Sequence, residues 1–170
     1  HLSMAKAALN NEVDEVWFIP SPLNPMKQSS DLLDFEIRFQ MVELALNQFP
    51  KYKVLDIEKS LPKPSYTFQT IRFLKDRFSF RFSLLCGSDI LNQFTQWKNY
   101  EEILMNAPLL VCERNNSCEI PRELKAFENR ISFIPFQPSS ISASGLRKTK
   151  STTGIEAVDI FIRKNRLYGF

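Results

Sequence analysis

The sequence predicts an α/β fold, a doubly wound parallel sheet with flanking helices. Three observations carry that expectation. Short β-rich runs alternate with helical patterns along the chain. Each run has about the length of a buried parallel strand. At 170 residues, with 44% hydrophobic and 24% charged side chains, the chain also has the size and composition of one domain with a real core.

In chain order, a helical pattern runs from Leu2 to Leu9 and is followed by a strand at Glu15 to Ile19. Phe35, Phe39, Val42, Leu46 and Phe49 then recur at steps of four and three, an apolar helix stripe that Pro50 closes. A second strand is predicted at Val54 to Ile57. Ser65 is placed to cap the next helix, where Thr67, Ile71, Leu74 and Phe78 share one side. Three further strands fall at Phe82 to Cys86, Leu109 to Cys112 and Ile131 to Ile134, separated by shorter helices at Glu101 to Asn106 and Pro121 to Asn129. Thr153 and Glu156 have capping-box spacing ahead of a last helix whose buried face would be Ile155, Val158, Phe161 and Ile162. Internal repeats and low-complexity tracts are absent.

A net charge of +3 is too mild to demand a nucleic-acid partner, which shows as a concentrated basic stripe, and it suits a small anionic ligand. Arg147, Lys148, Lys150, Arg163, Lys164 and Arg166 cluster near the end; cations at a helix C-terminus account equally well for the last three. Fifteen Phe against four Gly fit a core of aromatic rings, or a base-composition bias. Cys86, Cys112 and Cys118 lack metal-ligand spacing, and the first two lie in apolar runs; they read as reduced core residues, and no apolar run is long enough to cross a bilayer. A reducing cytoplasm is the compartment this implies, with no membrane partner.

Ligands of open parallel sheets bind beyond the carboxyl ends of the strands, so the segments that follow strands hold the candidate chemistry. Gly87 in Cys86-Gly87-Ser88-Asp89 would admit a close backbone approach, and Asp89 would accept from ribose hydroxyls or cap a helix. Trp97 would stack on a heteroaromatic ring or pack a lid. The start of the helix at Pro64-Ser65-Tyr66-Thr67 offers free N–H groups to a carboxylate or phosphate, or is simply a capped helix. Ser142, Ser144 and Arg147 are spaced to converge on phosphate oxygens, a use that ordinary capping does not supply for the arginine. His1 stands ahead of a helix, where an imidazolium and the helix dipole would reinforce each other toward an anion.

Taken in order, these residues resemble the nicotinate-nucleotide adenylyltransferases of the HxGH nucleotidyltransferase superfamily. The matching residues are His1-Leu2, Asp14 to Pro20, Pro25 to Lys27, Arg38 and Met41, Asp56 and Glu58, Ser65-Tyr66-Thr67 with Thr70, Gly87-Ser88-Asp89, Trp97, the serine-rich segment ending in Arg147, and Leu167-Tyr168-Gly169. The resemblance implies a Rossmann-like fold and adenylyl transfer from ATP to nicotinate mononucleotide with Mg2+. Its partners would be ATP and that mononucleotide, with a homo-oligomer left open. His1 would correspond to the last histidine of HxGH. The family's preceding strand and glycine-rich loop have no counterpart in the 170 residues, so the sheet is expected without its first, central strand, and this chain alone is expected to be inactive. Met26 and Lys98 depart from the family pattern, where histidine, or an aromatic or histidine respectively, is frequent.

By the same resemblance, His1, Gly87, Asp89, Ser142, Ser144 and Arg147 would bind ATP, with His1 in the catalytic role. Lys27, Arg38, Tyr66, Thr67 and Trp97 would bind the mononucleotide, and no residue is assigned to a protein-held metal. A phosphopantetheine-type adenylyltransferase, or a nucleotide-binding protein without catalysis, are the alternatives. Arg147→Ala is predicted to weaken ATP use by about 1.5 to 3 kcal/mol through loss of a charge-assisted bond; unchanged ATP dependence in steady-state kinetics would remove Arg147 from the site.

Overall fold

The computed structural model describes residues 1–11, 13–23, 33–113, 119–136 and 152–169. Helix α1 (Leu2–Asn11) leads to β1 (Val16–Phe18), α2 (Phe35–Leu46) and β2 (Tyr52–Val54). A single turn, α3 (Ile57–Ser60), precedes α4 (Thr67–Arg77) and β3 (Leu84–Gly87). A 3-10 segment, Ser88–Gln96, then leads to α5 (Tyr100–Asn106) and β4 (Leu109–Glu113). A second 3-10 segment, Arg122–Arg130, precedes β5 (Ile131–Pro135), and α6 (Glu156–Lys164) ends the described fold with a short turn at Leu167–Gly169.

All strand pairs are parallel, but the sheet is in two pieces: β1 pairs β2, and β3, β4 and β5 form a ladder in that order. Among the described residues β1 and β3 do not pair. The pieces lie side by side. Helix α1 packs against β1 and against β3, β4 and β5, and the Trp17 ring of β1 meets Phe82, just ahead of β3, at 5.5 Å.

Strand alternation explains why β4 is the centre of the core. Leu109 and Val111 enter one cluster with Phe68, Ile71, Leu91, Phe94, Ile103, Leu104 and Leu124, whereas Leu110 and Cys112 turn to the other face and meet Ala8 and Ile134. All four are buried, the condition for a parallel strand covered on both sides. A third cluster joins Val158, Ile162 and Leu167 of the C-terminal segment to Ile37, Met41, Leu44 and Ala45 of α2.

Several element boundaries differ from expectation, each for a local reason. The second strand lies at Tyr52–Val54 rather than Val54 to Ile57, because Asp56 opens α3, where Lys59 N bonds Asp56 O at 2.8 Å. Helix α2 ends at Leu46, so Phe49 stands beyond it, 46% exposed against the Tyr52 ring, and the helix is apolar on a second side that packs on α6. The cap of α4 is Tyr66, not Ser65. At α6 the expected Thr153–Glu156 box is replaced: the helix begins at Glu156, Thr153 Oγ1 accepts Ile155 N at 3.1 Å, and Asp159 Oδ1 accepts Thr153 N at 2.7 Å. The Pro121 to Asn129 helix is 3-10 with a kink at Phe127, and the Ser88–Gln96 segment is 3-10 and buries Leu91 and Phe94.

No helix among the described residues is long and apolar enough to cross a membrane, and Cys86 and Cys112 are buried. Burial pushes the Cys112 thiol above its ordinary pKa.

Phe94 is fully buried at the centre of the larger cluster, against Trp97 at 5.3 Å and Tyr100 at 6.4 Å. Phe94→Ala is predicted to cost about 3 to 5 kcal/mol in urea unfolding, the range for deleting a buried ring; a loss under about 1 kcal/mol would show that this cluster does not hold the domain.

Candidate active site

The carboxyl end of β3 supplies the first wall. Gly87 is buried at the strand's end, and Asp89 sits in the first turn of the following 3-10 segment with its carboxylate bent back over the glycine. A Cβ added at Gly87 would lie 2.5 Å from Asp89 Oδ1, so the missing side chain is what lets the carboxylate take this position. Asp89 is exposed and makes no capping bond; the residue in the cap position is Gly87. The helix-cap reading of Asp89 is therefore not what the fold uses.

His1 opens the helix that packs on this part of the sheet. Its carbonyl accepts Ala5 N at 2.9 Å and so begins α1, and its side chain is exposed. Helix α1 lies against β3 and β4, in which Gly87 and Cys112 are register partners.

The start of α4 carries the second set of candidates. Gln69 N and Thr70 N bond Tyr66 O at 3.0 and 3.4 Å, and the Gln69 side chain reaches back to Tyr66 N at 3.4 Å. The N–H groups of Thr67 and Phe68 have no acceptor among the described residues, as the first turn of a helix requires. Behind them Thr70 donates to Glu58 Oε1 at 2.7 Å, with Glu58 8% and Thr70 5% exposed. Glu58 Oε2 and the Ser65 hydroxyl are buried without a partner. The entry to this helix is stitched to the loop after β1, since Ser65 N bonds Leu23 O at 3.0 Å.

Trp97 closes the 3-10 segment that starts at Ser88 and is half-buried against Phe94. The next residue, Lys98, places its ammonium over the Tyr66 ring, 4.6 Å from the centroid, so the Trp97–Lys98 turn and the α4 terminus adjoin. Arg38 has a different surrounding. Its Nε donates to Leu33 O at 2.9 Å, Nη1 to Ser21 O at 2.8 Å and Nη2 to Pro22 O at 3.1 Å. The guanidinium holds the backbone after β1, so its bearing on a ligand is through that loop. Lys27, Ser142, Ser144 and Arg147 lie outside the described residues. A cavity of about 400 Å³ is lined by Leu2, Phe49, Ile155 and Ile160 among others, beside α1 but away from Tyr66, Asp89 and Trp97.

The Glu58–Thr70 pair and the placement of Lys98 were not legible from local sequence, because each depends on a contact between separate elements.

The cytidylyltransferase-like family model matches residues 1–149. A probable nicotinate-nucleotide adenylyltransferase of Flavobacterium psychrophilum is 43% identical over 125 residues, covering 72% of this chain and 65% of the relative. One of Christiangramia forsetii is 33% identical, covering 88% of this chain and 77% of the relative. The chain belongs to the nicotinate-nucleotide adenylyltransferases of the cytidylyltransferase-like family. A solved Plasmodium falciparum nicotinic acid mononucleotide adenylyltransferase, complexed with NaAD, shares the fold with a TM-score of 0.75 at 20% identity, over 99% of this chain and 89% of that one. The Rossmann-like architecture of these adenylyltransferases is thus the architecture here. The chain spans 54% to 65% of the length of several curated relatives.

Thr70→Val tests the support beneath the α4 terminus. Removing the only described bond to Glu58 leaves its buried carboxylate without a partner, and a loss of about 1 to 3 kcal/mol in chemical denaturation is expected; a Thr70→Val protein as stable as the parent would show that the pair carries no such burden.

Proposed function

We propose that the protein carrying this chain transfers AMP from ATP to nicotinate mononucleotide, giving deamido-NAD and pyrophosphate in the synthesis of NAD. One observation supports this beyond family membership. The Gly87–Asp89 turn follows the carboxyl end of a parallel strand, and the 3-10 segment it opens leads to Trp97 and to Lys98, whose ammonium lies over the Tyr66 ring at the α4 terminus. Gly87 and Asp89 would hold the adenosine portion of ATP, the carboxylate accepting from ribose hydroxyls. His1 would face the triphosphate, joined by Ser142, Ser144 and Arg147. Thr67, with the backbone following Tyr66, would present N–H donors to the nicotinate carboxylate while Trp97 stacks on its ring. Lys27 would meet the mononucleotide phosphate, and Arg38 would position the loop that carries it.

The reaction is an in-line attack by the 5′-phosphate oxygen of the mononucleotide on the α-phosphorus of ATP. The new P–O bond joins the two nucleotides as the bond to pyrophosphate breaks. No protein nucleophile is needed, and the residues' work is orientation and stabilisation of charge on phosphate oxygens. Among the described residues no group of three or more His, Cys, Asp or Glu side chains is arranged to hold a metal ion. A Mg2+ ion would come with the ATP substrate, where it would neutralise charge on phosphate oxygens.

The test is calorimetric titration with ATP and with nicotinate mononucleotide, together with a pyrophosphate-release assay in Mg2+ on the whole protein. Binding of both ligands and release of pyrophosphate only when both are present is the expected result. Release with phosphopantetheine instead would favour the other adenylyltransferase type, and binding of one nucleotide without turnover would favour a non-catalytic binding protein.

A further inference from the structure

We propose that Lys98 is the cationic contact that selects a carboxylate on the pyridine ring of the mononucleotide, and so sets preference for the acid over the amide. This rests on the proposed function above and assigns a residue to a choice that N–H donors alone make weakly.

The position of Lys98 is built by its neighbours. Trp97 N bonds Phe94 O at 3.0 Å and Tyr100 N bonds Trp97 O at 3.2 Å, which makes Lys98 and Asn99 the two corner residues of a tight turn. Asn99 adopts φ 56°, a left-handed conformation that asparagine tolerates better than most residues, and α5 begins directly after it. One end of the turn is anchored in the core by Trp97 against Phe94 at 5.3 Å. Its outer corner carries the lysine across to α4, with Nζ 4.6 Å from the Tyr66 ring centroid and 6.0 Å from that of Phe68.

The surrounding charges leave this ammonium available. Glu102, four residues on, is held by Arg72, whose Nη2 donates to Glu102 Oε2 at 2.7 Å, and by Asn99 Nδ2 at 3.1 Å. Those bonds hold the Glu102 carboxyl below its ordinary pKa, so it stays ionised and already paired. Glu101 accepts from the Tyr100 hydroxyl at 3.2 Å. Among the described residues no carboxylate forms an ion pair with Lys98. The partner it does have is an aromatic face, a contact that holds a cation without neutralising it.

On the helix that carries those rings, the N–H groups of Thr67 and Phe68 have no acceptor among the described residues, and the Ser65 hydroxyl just ahead of it is 8% exposed and, among the described residues, without a partner. A neutral amide and a carboxylate both accept from N–H donors. Only the carboxylate gains from a full positive charge, and it does so more strongly once a ligand ring excludes water. The family position that departs from aromatic or histidine in this chain thus carries a charge suited to the same ligand.

The experiment compares the whole protein with Lys98→Met and Lys98→Arg, measuring the ratio of kcat/KM for nicotinate over nicotinamide mononucleotide and the KM for ATP. Lys98→Met is expected to lower the acid-to-amide ratio roughly fivefold or more, a charge-assisted contact being worth at least that. The ATP KM should hold, and Lys98→Arg should restore most of the ratio. The parent's affinity for the acid should also fall with added salt more steeply than that of Lys98→Met. A ratio within about twofold of the parent in Lys98→Met overturns the inference while leaving the adenylyltransferase reading in place. Failure of the parent to use either mononucleotide overturns both.

Discussion

The parallel ladder of β3, β4 and β5 is the constraint on which the site depends. Parallel strands need cover on both faces, because the helical crossovers that join them lie over the sheet. In β4 the alternation is complete: Leu109 and Val111 go to the Phe94 side, Leu110 and Cys112 to the α1 side. Cover on one side comes from α1, the helix that His1 opens. Cover on the other side comes from α4, the 3-10 segment and α5, which carry Tyr66, Thr67, Trp97 and Lys98.

Buried polarity is concentrated where the backbone has to be held rather than where the core is made. Glu58 and Thr70 pair under the α4 terminus, and Arg38 spends three donors on carbonyls at Ser21, Pro22 and Leu33. Charged or polar groups in such positions are costly unless bonded, so the bonds they make fix the loops that make them. Ser65 and Glu58 Oε2 are exceptions at the same terminus, buried and unpartnered. Loops set in this way present donors whose geometry is largely decided before a ligand arrives, which is how an enzyme without a protein nucleophile would accelerate a phosphoryl transfer.

Much of the chain was legible in advance because its signals are local. The strand at Leu109 to Cys112 is a continuous apolar run and that at Ile131 to Ile134 is β-rich, and both stand within one residue of their expected bounds. Capping was less legible. Ser65, Thr153 and Asp89 are all residues that favour helix starts, yet the helix begins one residue later than Ser65 would set it, Thr153 works with Asp159 rather than Glu156, and Asp89 covers a glycine. A cap preference names a residue type, while the backbone angle at which the chain arrives selects the residue that serves. Lys98 escaped for a related reason: beside Trp97 it read as a departure from a pattern, and its meaning lies in the Tyr66 ring of another helix.

What the sequence determined by itself is the alternation of strands and helices, the parallel class of sheet, and the stretches after strands where chemistry gathers, since periodicity and turn residues act over a few positions. Tertiary structure alone decided which of those stretches meet. The pairing of Gly87 with Cys112 and the seating of Lys98 over Tyr66 follow from packing helices on both faces of the ladder. Such contacts join residues far apart in the chain, and their strength depends on burial and distance, quantities that exist only once the chain is folded.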